Sequence, residues 1–125
     1  MPVSRETVLY FDPKGGEQAA ALKSILVRMG VRIKNVPSDA VGQTIGHLLG
    51  RKGFDARENP EAPALSEPVL VLDGFTDKRL EILLREMKKS GVVVPYKAVV
   101  TQTNLGWIFH QLHDELAREH EAMSK

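Results

Sequence analysis

The sequence predicts an α/β fold: two β-α-β-α pseudo-repeats forming a mainly parallel four-stranded sheet packed with helices. Three observations lead there. Residues 7–31, TVLYFDPKGGEQAAALKSILVRMGV, lie without a gap over residues 68–92, PVLVLDGFTDKRLEILLREMKKSGV. Val8/Val69, Leu9/Leu70, Asp12/Asp73, Leu22/Leu83, Gly30/Gly91 and Val31/Val92 are identical between them. Short apolar runs alternate with helical periodicity along the chain. Strand–helix–strand units of this length favour crossovers between parallel strands. A ferredoxin-like sandwich competes, but it needs β-α-β-β-α-β order, and here a helix follows every strand.

The elements read in order as follows. Thr7 to Phe11 is an apolar run stopped by Asp12 and Pro13, a buried strand. Gly15 and Gly16 open a turn. From Glu17 to Met29, apolar residues at Leu22, Ile25, Leu26 and Met29 make one helical face. Gly30 suits the left-handed residue that ends the helix. Val31 to Val36 alternates as a strand with one wet face, and Pro37 stops it. Ser38 or Asp39 caps a short helix through Leu49. Pro60, Pro63, Pro68, Gly50 and Gly53 mark a mobile surface connection. The second half restarts with a strand at 68–73. Thr76 caps a helix from Asp77 to Ser90, with Leu80, Leu83, Leu84 and Met87 inward and Gly91 at its end. Val92–Val94 and Tyr96–Thr101 carry the next strand. A last helix runs from Thr103 or Asn104 to about Ala122. The expected organisation is a first half at 1–50, a linker at 51–67 and a second half at 68–125, together one compact domain.

Composition excludes several classes. The chain has 125 residues, 42% hydrophobic and 26% charged, ordinary values for a globular protein. The net charge of +1 provides no broad basic field for nucleic acid. There is no cysteine, so disulfides, thiolate catalysis and cysteine-held zinc are excluded. No secretory signal or membrane-length apolar run is seen, which points to the cytoplasm.

Candidate site residues follow from the expected sheet, because ligands of parallel sheets bind beyond the strand C-termini. Four segments map there: 12–16, 37–43, 73–76 and 101–107. Asp12 and Asp73 read either as paired carboxylates for a metal or general base, or as turn residues bonding the following backbone, the latter preferred. Thr101, Thr103 and Asn104 stand where a strand runs into a helix and offer hydroxyls and N–H groups to an anion, or simply cap the helix. Trp107 falls opposite the apolar face of Leu105, Ile108, Phe109, Leu112 and Leu116, which makes it a contact residue or one covered by a loop. His110 and His113 are spaced i, i+3, unlike the i, i+4 pair of a metal helix, and His110–Asp114 suits local helix support. No metal and no cofactor is expected.

The run Lys97-Ala98-Val99-Val100-Thr101-Gln102-Thr103-Asn104, then Trp107, then Glu119-His120-Glu121-Ala122-Met123, resembles the bacterial domain of unknown function numbered 3783. Gly42-Gln43-Thr44-Ile45-Gly46-His47-Leu48-Leu49-Gly50 and Gly53-Phe54 resemble its upstream region. The resemblance implies no catalytic residues. It marks Thr101, Thr103, Asn104 and Trp107 as the signature. The expected function is a non-enzymatic binding or protein-interaction module, with a homodimer or another protein as partner. The alternative is a regulatory domain or enzyme that binds an anion or phosphate at the strand-end turns. Nucleic acid and membrane are not expected partners.

Overall fold

The structure, a computed structural model, describes residues 6–58 and 61–123. Its elements are β1 (Thr7–Phe11), α1 (Glu17–Arg28), β2 (Arg32–Asn35), α2 (Ile45–Leu49), β3 (Val69–Asp73), α3 (Asp77–Lys89), β4 (Tyr96–Val99) and α4 (Phe109–Met123). Single 3₁₀ turns at Ser38–Ala40 and Asn104–Gly106 precede α2 and α4.

The four strands form one sheet in the order β2-β1-β3-β4. It is mixed, which corrects the mainly parallel expectation. β1 pairs with β2 and β3 with β4 in parallel, but β1 and β3 are antiparallel, Thr7 opposite Asp73 and Phe11 opposite Val69. The cause of the miss is physical. Both central strands are buried on both faces, and a doubly buried strand is a plain apolar run whichever way it points.

Helices cover both faces. α1 and α3 pack on Val8, Tyr10, Leu70 and Leu72. On the other face Phe109 and Leu112 of α4, Ile45 of α2, Val41 and Leu65 pack on Leu9, Phe11, Val69 and Val71. These faces correct the ungapped overlay of the two halves. Leu22 and Leu83 share a face, as the overlay requires, but Val8 and Val69 point to opposite faces. The overlay fits the helices and is one residue out on the strands, where a single step turns a side chain over.

α1 and α3 end alike. After α1, Val31 N–H bonds Leu26 O at 3.0 Å and Gly30 N–H bonds Val27 O at 3.0 Å; after α3, Val92 N–H bonds Met87 O at 2.8 Å and Gly91 N–H bonds Lys88 O at 3.2 Å. Gly30 and Gly91 have φ of 76° and 71°, where a side chain would be strained. Thr76 caps α3 as expected, its Oγ1 accepting from Arg79 N–H at 3.1 Å.

Most described residues of the connection between the halves are exposed, but several of them are anchored. Arg57 donates from its backbone to Gln43 Oε1 and from its guanidinium to Gly42 O, both at 2.8 Å. Leu65 is buried in the α2/α4 core. Phe54 lies on Gly46, and its carbonyl is 3.1 Å from His47 Nδ1. A Cβ built on Gly46 would meet the Phe54 ring at 2.4–2.6 Å. Alanine is a better helix former than glycine by roughly 1 kcal/mol, so Gly46→Ala would stabilise an open site. Here it is expected to destabilise by about 1–2 kcal/mol, as overpacking does. It should also speed proteolysis between 51 and 58. An unchanged melting midpoint and cleavage rate would contradict this.

Candidate functional site

Antiparallel pairing of β1 and β3 sets Asp12 and Asp73 at opposite ends of the sheet. The strand-end segments therefore divide: 12–16 and 37–43 lie at one end, 73–76 and 101–103 at the other. A shared carboxylate pair does not form. Each aspartate has its own local role. Asp12 accepts from Tyr10 Oη at 2.6 Å and from the backbone N–H of Lys14 and Gly15 at 3.0 Å. Asp73 accepts both of its bonds from Arg51 Nη2, at 2.8 and 2.7 Å.

Partial burial pushes the Asp12 carboxyl up, but the Tyr10 hydroxyl, the two N–H groups and the Lys14 charge outweigh it and hold the carboxyl below the usual range. Burial first, and then Asp12, push the Tyr10 hydroxyl well above its ordinary value. The sign follows for stability. A carboxyl depressed on folding stabilises above its unfolded pKa of 3.8 and loses that contribution as pH falls through the lower folded value. NMR titration should therefore give Asp12 a midpoint below 3.8, moved upward by Tyr10→Phe. A midpoint unmoved by Tyr10→Phe would count against this network.

The signature turn is closed on itself. Thr101 N–H donates to Asn104 Oδ1 at 2.8 Å, Asn104 N–H donates to Thr101 Oγ1 at 3.1 Å, and Asn104 Nδ2 donates to Val99 O at 3.1 Å. Leu105 and Trp107 N–H groups bond Thr101 O and Asn104 O. Thr101 and Thr103 are exposed, and Asn104 is buried. This corrects the expected helix start: a 3₁₀ turn stands there, and α4 begins at Phe109. The α4 start is set from the other half of the chain, by Phe109 N–H to Gln43 O and His110 N–H to Val41 O, both 2.9 Å. Trp107 is not on a helix. Its backbone is extended (φ −79°, ψ 147°), its carbonyl accepts from Ile45 N–H at 2.9 Å, and its half-buried ring packs against the α2/α4 core.

His110 Nδ1 lies 3.2 Å from Asp114 Oδ2, the expected local pair. His113 is nearly buried. Its Nε2 is 3.0 Å from Glu67 Oε1 and its ring meets Tyr96 edge-on at 5.2 Å. The Glu67 hydrogen bond, with burial, pushes the Tyr96 hydroxyl up. Among the described residues, no group of three or more His, Asp or Glu side chains is arranged to hold a metal ion.

A different surface emerges at the β4 edge. Among the described residues, the large apolar side chains left exposed are Val27, Leu84, Val93 and Val99. The last three line two adjoining hollows of about 170 and 220 Å³ between α3 and β4, which share Leu84 and Lys97. Leu72, Leu80, Met87 and Val94 form the floor. Leu84, expected inward, is 39% exposed; Val93 is 66% and Val99 43% exposed. Sequence reasoning missed this edge because Leu84 sits at the border of the apolar stripe. The available signal was the strand itself: only Tyr96–Val99 pairs, after a break at Pro95. A larger hollow, about 640 Å³, lies elsewhere, lined by Ser38, Asp39, Val41, Glu61, Ala62 and Pro63. It is acidic and has no aromatic wall, so it provides little to grip a ligand.

The molecule is thus a small mixed α/β protein with a closed signature turn and an open apolar edge. Residues 68–123, which carry β3, α3, β4 and α4, match the family model described as Domain of unknown function (DUF3783). The resemblance read from Lys97–Asn104 and Trp107 is borne out for that segment. Gly42–Gly50 and Gly53–Phe54 lie outside the match. No curated protein and no solved structure matches the chain. Among the described residues, no helix is long and apolar enough to cross a membrane.

Proposed function

We propose that this protein is a non-enzymatic protein-interaction module that docks through the β4 edge and the adjoining side of α3. One observation carries the reading: Leu84, Val93 and Val99 are exposed together around a strand edge that no described residue pairs. Apolar side chains beside open backbone groups suit strand addition, in which main-chain bonds supply affinity and side-chain hollows supply specificity. The opposite edge is unsuited to this, because β2 carries Arg32 and Lys34 within four residues. The signature turn supports the fold of this edge, since Asn104 Nδ2 donates to Val99 O at the end of β4. Trp107, Thr101, Thr103 and His110 serve in this reading as supports of the second half and not as ligand contacts. The anion alternative needs open donors at the turn, and the N–H groups of Thr101, Asn104 and Leu105 are already bonded within it.

The test is site-specific photocrosslinking in cell lysate. A photoreactive residue at Val99 should give discrete adducts that vanish when Leu84→Glu is added. The same residue at Asn35 on the opposite edge should give none. Equal adducts from both edges would sink the reading. Thermal stabilisation by inorganic phosphate that Thr103→Val removes would replace it with the anion alternative.

A further inference from the structure

We propose that the occupant of this edge is a second copy of the chain, joined β4 to β4 in antiparallel sense about a twofold axis into a continuous eight-stranded sheet. The inference rests on the interaction reading above and names the partner.

The molecule already contains such a junction. β1 and β3 run antiparallel at the centre of the sheet, and α1 and α3 lie side by side on one face of it, Ile25 and Met29 against Ile82 and Glu86. In the order β2-β1-β3-β4 each helix spans its own strand pair, so the two helices stand two strand spacings apart. At about 4.8 Å per strand that is about 9.6 Å, within the distance at which helices pack. A copy added at β4 repeats this arrangement: its α3 stands at the same spacing from the first α3, and again antiparallel to it.

Charge favours the same pairing. Leu84 and Lys88 of α3 line the hollows beside β4, and Glu81 and Asp77 stand one and two turns before Leu84 on the same helical side. This stripe is acidic in its first half, apolar in the middle and basic at its end, with Arg85 beside it. An antiparallel α3–α3 contact sets each acidic half against the other's basic half and Leu84 against Leu84. The stripe is therefore complementary to itself. β2, by contrast, would bring Arg32 and Lys34 against their own copies.

The backbone of β4 suits this pairing too. Val100 N–H bonds Leu72 O, so residues alternating with it, Lys97 and Val99, turn their N–H and C=O groups outward. Asn104 Nδ2 occupies one lone pair of Val99 O, and a carbonyl has two. A register centred on Ala98 sets Lys97 opposite Val99 of the second copy and keeps the two lysines out of direct opposition.

Sedimentation equilibrium of the purified full chain, from low to high micromolar concentration, tests this. The expected result is twice the chain mass. Leu84→Glu with Val99→Asp should give a monomer with an unchanged circular dichroism spectrum. Asp77→Lys with Glu81→Lys, and separately Arg85→Glu with Lys88→Glu, should each weaken self-association by about tenfold or more. Mixing those two double variants should restore a dimer, which a merely unfolded variant cannot do. A wild-type monomer throughout, or a dimer that survives Leu84→Glu with Val99→Asp, overturns the proposal. A wild-type monomer whose Val99 crosslinks still depend on Leu84 overturns the second copy alone. Loss of those crosslinks as well overturns both readings.

Discussion

Phe109→Ala is expected to lower stability by about 3–5 kcal/mol, as deletion of a fully buried aromatic does. Phe109 is 0% exposed and meets the Phe11 ring edge-on, with centroids 6.1 Å apart. It is also where the halves are sewn together, because its N–H bonds Gln43 O while Ile45 N–H bonds Trp107 O. Thr44 and Ile108 form an isolated antiparallel bridge between those bonds. The ring thus fills the core directly beneath a backbone clasp, and the clasp limits collapse around the cavity. For a chain of this length the loss corresponds to roughly 10–20 °C in the melting midpoint. Trp107, the single tryptophan and two residues away, reports the transition by fluorescence. A fall of only a few degrees would mean that the site collapses freely, which the clasp argument does not allow.

Arg79→Met is expected to cost about 2–3 kcal/mol. Arg79 donates to Glu6 from Nε at 2.7 Å and from Nη2 at 2.6 Å, and Nη2 also reaches Met29 O at 2.6 Å. The Glu6 carboxylate side chain is 6% exposed, and Arg79 34%. Removing one partner of a buried pair costs about 3–5 kcal/mol. The exposure of Arg79 to solvent reduces that. The contact ties the first turn of α3 to the entry of β1 and the end of α1, so its loss should be felt across the α1/α3 layer. A double-mutant cycle of Arg79→Met with Glu6→Gln isolates the pair, and a coupling of about 1 kcal/mol or more is expected. Coupling near zero would reduce the bridge to surface decoration.

How much of this was legible depended on whether the deciding contacts were local. β1, α1, β3 and α3 were readable within a residue or two, because apolar runs, one-sided stripes, the Thr76 cap and the closing Gly30 and Gly91 act over a few positions. The direction of β3 against β1 was not, since a strand buried on both faces has no sequence mark of its sense. The start of α4 was misread for a related reason. Thr101 and Asn104 do satisfy each other as capping residues would, but Gln43 and Val41 decide where the helix begins. Asp12 was legible as turn chemistry. The β4 edge was not, because Leu84 satisfies the helical pattern and its exposure depends on how far β4 extends beneath it.

The antiparallel centre also bears on how the chain folds. Each β-α-β half closes over a short stretch, with Val8 meeting Ile33 and Val69 meeting Tyr96. Leu9 must find Val71 across a much longer loop. Loop-closure entropy therefore favours the local units over the long-range pairing that joins them. Until it forms, β1 and β3 present bare, mostly apolar strands, each the natural complement of the other. A nascent chain that has released its first half but not its second exposes such an edge, and this is the interval in which aggregation competes with folding.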